Sequence, residues 1–232
     1  MIKAVIFDLD NTLVDFMRMK EAAIDAAVDA MVDAGLRMSK QEAKEEIYKI
    51  YEEEGIEYQR VFDRFLNEQL GDINYKIHAA AIVAYRKARE AALVLYPHVN
   101  MTLTGLVKRG IKLAVLSDAP RLQAWLRLCS LQLHHIFDFV LTFEDTGVHK
   151  PSEIPFRKVL SLLKVAPLEA LMVGDWPERD MVGAKNVGIK TVFARYGDTF
   201  GTRQSGADFE IGDISELLEI IDNKLPRGTK DG

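Results

Sequence analysis

The segment Ala4-Val5-Ile6-Phe7-Asp8-Leu9-Asp10-Asn11-Thr12 joins four apolar residues, two of them β-branched, to a polar turn carrying two acids. A short apolar run that stops at turn residues is the pattern of a strand buried on both faces, as in a parallel sheet. On an extended segment, residues two apart point to the same side, so Asp8 and Asp10 repel each other and their pairing calls for a reason.

The same pattern returns after Pro97, with apolar runs at 112–116, 139–141, 170–173 and 191–193, each followed by a helical or turn segment. This alternation predicts an α/β fold: a Rossmann-like parallel sheet with helices on both faces and a ligand site beyond the carboxyl ends of the strands. Residues 16–95 read differently. Ala23, Ala26, Ala27, Ala30, Met31 and Ala34 hold one apolar helical face that ends at Gly35. Ser39 and Glu42 form a capping box, and further helices are predicted over 58–70, stopped by Gly71, and over 74–93. The chain is therefore expected to have an α/β core at 1–15 and 96–232, with a helical domain inserted at 16–95. Residues 226–232 read as a frayed polar tail.

Hydrophobic residues at 48% and charged residues at 28% of the 232 fit an ordinary globular protein and argue against long disorder. Thirty Lys+Arg against thirty-five Asp+Glu leave a net charge of -5, which gives no field to attract nucleic acid. No apolar run approaches the roughly 20 residues that span a bilayer, and the N-terminal run is too short for a signal peptide. The expectation is a cytoplasmic monomer or homodimer with neither membrane nor nucleic-acid partner. A lone Cys129 excludes an internal disulfide and a zinc thiolate cluster. Set among Trp125, Leu126, Leu128 and Leu131, it reads as a buried structural thiol.

Each strand end carries a chemically able residue. The first brings Asp8 and Asp10; the run ending at Leu116 brings Ser117 and Asp118. Lys150, read as opening a helix, follows the next, and Gly174-Asp175-Trp176-Pro177-Glu178-Arg179-Asp180 follows Val173. Carboxylates gathered in one crevice raise each other's pKa unless a cation is present, and oxygen-only ligands favour Mg2+. With Lys150, such an ion would offset a phosphate dianion that carboxylates alone repel.

These residues resemble, in order, the four motifs of the haloacid dehalogenase superfamily: Asp8-Leu9-Asp10-Asn11-Thr12, then Ser117, then Lys150, then Gly174 through Asp180. The resemblance covers roughly 1–15 and 95–215, and the helical insertion resembles the family's cap domain. It implies that Asp8 is a nucleophile forming an aspartyl-phosphate, that Asp10 is the acid–base residue, and that Thr12 holds the turn. It further implies Mg2+ on the Asp8 side chain, the Asp10 carbonyl and the Asp175 side chain, with Asp180 in support, and phosphate contacts from Ser117 and Lys150. Asp118 stands where the family often has Asn; an acid there either weakens phosphate binding or points away. The bulk of Trp176 narrows the crevice mouth or contacts the cap, and Phe16, Arg18, Tyr58 and Arg60 are candidate cap contacts by position. Hinges are expected near residues 15–16 and 96–98.

The implied function is a Mg2+-dependent phosphatase acting on a small phosphorylated metabolite. The alternatives are a 2-haloacid dehalogenase, which needs no acid in the position of Asp10, a phosphomutase, and a noncatalytic module binding a phosphorylated ligand or a protein.

Overall fold

The computed structural model describes residues 1–222, so the tail at 226–232 lies outside the described residues. The chain forms two compact units, Met1–Asp15 with Val94–Gly232, and Phe16–Leu93.

In the first unit, strands β1 (Ala4–Phe7), β2 (Lys112–Leu116), β3 (Phe139–Leu141), β4 (Ala170–Gly174), β5 (Lys190–Ala194) and β6 (Phe209–Ile211) form one parallel sheet in the order β3-β2-β1-β4-β5-β6. Its helices are α5 (Val99–Lys108), α6 (Arg121–Ser130), α7 (Phe143–Thr146), α8 (Glu153–Leu163), α9 (Val182–Asn186) and α10 (Glu216–Ile221), and α1 to α4 belong to the second unit. Strand β1 lies at the centre, with Ala4–Phe7 paired to Lys112–Val115 on one side and to Ala170–Val173 on the other. All four of its residues are fully buried, because helices cover both faces. Ala4, Ile6, Ala114 and Met172 pack under Phe156 and Val159 of α8. On the other face α5 lies against β2, and the Leu218 side chain of α10 lies 3.0 Å from where a Cβ on Gly105 would stand.

Strand β6 is not among the sequence expectations. Phe-Glu-Ile is too short a run to stand out, and Glu210 faces outward to pair with Arg195 at the sheet edge. Two local expectations are corrected. Lys150 does not open a helix: it precedes a cis peptide to Pro151, and α8 starts after Ser152, whose hydroxyl accepts from the Ile154 amide at 3.4 Å. Cys129 is exposed, because α6 turns Ala124, Arg127 and Leu128 inward and so carries Cys129 to the opposite side.

The second unit comprises α1 (Phe16–Asp33), α2 (Lys40–Glu54), α3 (Val61–Leu70) and α4 (Tyr75–Ala92). Ile24, Met31, Ile47, Phe65, Leu66 and Ala81 belong to a core of its own. The Ser39–Glu42 capping box starts α2, Gly71 ends α3 at a φ of 75°, and the Asn74 side chain caps α4. Helix α3 begins at Val61, so Tyr58 lies in the preceding turn.

The connections between the units run side by side. The Asp15 amide donates to the Val94 carbonyl at 3.1 Å, the Tyr96 amide to the Leu13 carbonyl at 3.0 Å, and Val14 bridges Leu95. Among the described residues no helix is long and apolar enough to cross a membrane.

Candidate active site

Strand β1 ends by donating the Asp8 amide to the Val173 carbonyl at 2.8 Å, which places the following turn beside the end of β4. The turn closes through the amides of Leu13 and Val14, both donating to the Leu9 carbonyl, and needs Asn11 at a φ of 55°. Asn is among the few residues that adopt this left-handed conformation readily. Thr12, fully buried, donates its hydroxyl to Asp175 Oδ1 at 3.2 Å, tying the turn to an acid 163 residues away.

Lys150 is the electrostatic centre. Its Nζ lies 2.6 Å from Asp8 Oδ1, 2.6 Å from Asp180 Oδ1 and 3.1 Å from the Leu116 carbonyl. Burial opposes the lysine's charge, yet Asp180 and Asp8 hold its pKa above the ordinary lysine value. Burial pushes Asp8 up to about 7, with Asp180 and Asp10 adding to the rise against the pull of Lys150. Asp175 is raised by burial and then by Asp8 and Asp180, and Asp180 is raised chiefly by burial.

Asp8, Asp175 and Asp180 each place a carboxylate oxygen within 4.8 Å of the others. An oxygen-only set of this kind suits a hard divalent cation, and such an ion would offset both the burial and the mutual repulsion that raise the pKa values of these acids. Asp180 lies inside this cluster, at the oxygens themselves. It is held by one π-helical turn over Pro177–Met181, with its Oδ2 accepting from the Trp176 amide at 3.1 Å. It also dictates Gly174, since a Cβ there would lie 2.3 Å from Asp180 Oδ2.

Asp118 is held by the neighbouring loops, and its charge acts on both Lys150 and Asp180. One oxygen accepts from the Lys150 backbone amide at 3.0 Å and the other from Arg179 Nη1 at 3.0 Å. The carboxylate thus ties together the loops after β2, β3 and β4. Arg179 Cζ lies over Trp176, 3.9 Å from the ring centroid, and Trp176 packs on Phe200. The buried Ser117 hydroxyl accepts from the Ala119 amide at 3.1 Å, and Pro120, not Ser117, precedes α6.

Three residues absent from the sequence reading also touch this region. Arg127 Nη1 donates to Asp10 Oδ2 at 2.8 Å. The Tyr196 hydroxyl donates to the Thr12 carbonyl at 2.7 Å. Gly197 presses so closely on the first turn that a Cβ would lie 1.6 Å from the Asn11 carbonyl oxygen. The partners are 117 and 184 residues apart for the first two, so no local pattern announces them. In the helical unit, Phe16 is buried, Arg18 is exposed, Tyr58 packs on that unit's own core and Arg60 pairs with Asp63 at 3.2 Å.

Residues 5–194 match the family model described as haloacid dehalogenase-like hydrolase. A glyceraldehyde 3-phosphate phosphatase of Pyrococcus furiosus is 33% identical over 226 residues, which cover 96% of this chain and 94% of that protein. One of Methanopyrus kandleri is 36% identical over 227 residues, covering 95% and 97%. The crystal structure of a phosphatase of this class from Thermococcus onnurineus superimposes with a TM-score of 0.71 at 29% identity, over 95% of this chain and 98% of that one. With its strand-end acids and lysine gathered at one edge of a parallel sheet, the chain belongs to the haloacid dehalogenase-like hydrolases.

Proposed function

We propose that this phosphatase hydrolyses the monoester of a small phosphorylated metabolite in two steps through Asp8. In the first, an Asp8 oxygen attacks phosphorus and the bond to the leaving oxygen breaks, while Asp10 gives that oxygen its proton. In the second, Asp10 takes a proton from water, whose oxygen attacks the same phosphorus. The bond to Asp8 breaks, and phosphate leaves. Lys150 faces the charge that gathers on the phosphoryl oxygens, and Ser117 offers its hydroxyl to them. Asp8 and Asp175, the Asp10 carbonyl and Asp180 are the groups to hold Mg2+. When bound, that ion supplies positive charge against the phosphoryl group.

The observation that carries this reading is the bridging of Asp8 and Asp180 by the buried Lys150 at 2.6 Å each. A noncatalytic binding module has no use for a lysine held against a carboxylate whose pKa stands near neutrality. The similar proteins of Pyrococcus furiosus and Methanopyrus kandleri point to triose phosphates as the first substrates to try. Selection among substrates is assigned to the helical unit, because the side chains placed at the strand ends address the phosphoryl group.

The test is phosphate release from triose phosphates, sugar phosphates, phosphoglycolate and nucleotides, with Mg2+ and with EDTA. Release that needs Mg2+ and disappears in Asp8→Asn supports the proposal. Release that persists in Asp8→Asn, or none from any ester, overturns it.

A further inference from the structure

Helix α6 buries a charged residue, Arg127, beside the apolar pair Ala124 and Leu128. Its sequence, Arg121-Leu122-Gln123-Ala124-Trp125-Leu126-Arg127-Leu128-Cys129-Ser130, offers Leu122, Trp125 and Leu126 as an apolar face at helical spacing. Yet Leu122 is 67% exposed and Leu126 43%, while Arg127 is among the buried residues. A turn of the helix about its axis would bury Leu122 and Leu126 and release the arginine to water, at the expense of Ala124 and Leu128, which now face inward with it. Taking a guanidinium out of water is costly unless it is paired. It is paired with Asp10, whose Oδ2 lies 2.8 Å from Arg127 Nη1, with side-chain exposures of 7% for the arginine and 21% for the acid. Conflicts between local pattern and final structure are expected at functional sites.

We infer that Arg127 is the positioning residue of the acid–base step: it fixes the rotamer of Asp10 so that the carboxyl can pass its proton to the leaving oxygen. This rests on the two-step reading above. It extends that reading to a residue outside the family motifs, a charged side chain buried in its helix beside Ala124 and Leu128.

The leaving group separates this role from general support of the fold. The nitrophenolate ion leaves without a proton, whereas an alkoxide requires one. The value of kcat/KM reports the step in which Asp8 is phosphorylated, so a misplaced Asp10 slows only the alkyl ester. In Arg127→Met, kcat/KM for glycerol phosphate is expected to fall about 100-fold, the size of a general-acid contribution, and that for p-nitrophenyl phosphate less than about threefold. Asp10→Asn is expected to show the same selectivity, and the double variant to be no worse than Asp10→Asn alone. Equal losses on both esters in Arg127→Met, with Asp10→Asn selective, overturn the inference and leave the two-step reading standing. An Asp10→Asn variant without selectivity overturns the reading itself. Should circular dichroism show Arg127→Met unfolded, Arg127→Lys decides: a selective loss on glycerol phosphate supports the role, and equal rates relative to wild type on both esters overturn it.

Discussion

Lys150 Nζ stands midway in a buried bridge, 2.6 Å from Asp8 Oδ1 and 2.6 Å from Asp180 Oδ1. Removing one partner of a buried ion pair leaves the others uncompensated, at a cost of about 3–5 kcal/mol. Lys150→Met is therefore expected to lose about 3 kcal/mol of unfolding free energy in urea at pH 8 and more than about 100-fold in phosphate release. The stability loss shrinks at pH 5, where the orphaned carboxyls take up protons. An equal loss at both pH values would show that the lysine acts through packing alone.

The raised acids set the pH dependence of the metal-free protein. In the unfolded chain Asp ionises near about 4, whereas in the native state Asp8 keeps its proton up to about 7, and Asp175 and Asp180 are raised as well. Between these values the native state holds more protons than the unfolded one, so the site's contribution to stability falls as pH rises. Mg2+ competes with those protons. Its stabilising shift in thermal midpoint is expected to be larger at pH 7.5 than at pH 5.5, and to shrink in Asp8→Asn. Scanning fluorimetry in EDTA and in Mg2+ checks both.

Gly197 has no room for a side chain, since a Cβ would stand 1.6 Å from the Asn11 carbonyl oxygen and 3.3 Å from the Asp175 Cβ. Because the obstruction is backbone, it cannot swing aside. Gly197→Ala is expected to cost about 1–3 kcal/mol and to lower activity through the displaced turn. Gly212→Ala, whose Cβ would meet only Glu216 Oε1 at 3.6 Å, is expected to stay within about 0.5 kcal/mol of the wild type.

Asp118 distinguishes geometry from charge. Asn retains an acceptor for the Lys150 amide but no ion pair with Arg179, and Ala retains neither. The expected order of kcat is wild type, then Asp118→Asn within about threefold, then Asp118→Ala about tenfold lower, a loss of roughly 1.4 kcal/mol of transition-state stabilisation. An Ala variant as active as the Asn variant would remove the loop-tying role.

Strands β1, β2 and β4 lie where apolar runs bounded by polar turns place them, because a central parallel strand is buried on both faces and its composition shows it. Once the strands are known, their carboxyl ends say which side chains share an edge, and Asp8, Lys150, Asp175 and Asp180 do meet there. The rest was hidden for physical reasons. An arginine within a helix ordinarily faces water, so Arg127 carries no signal that it is buried until its partner's position is known. Tyr196 and Gly197 sit in the segment after β5, and their contacts with the first turn exist only when the sheet has assembled. The exposure of Cys129 follows from the same rotation of α6 that buries Arg127.

The hydrogen bond from the Asp15 amide to the Val94 carbonyl has a consequence for how the sheet is assembled. Strands β1 and β2 must pair across the whole helical insertion, a closure whose entropic cost grows with the logarithm of the chain between them. Because the insertion begins and ends at one point, its folding makes the separating chain about fourfold shorter and lowers that cost by about 1 kcal/mol. Strand β1 is thereby indifferent to what is threaded between Asp15 and Val94. An insert of another length or shape could replace α1 to α4 without disturbing the pairing of β1, provided its two ends meet.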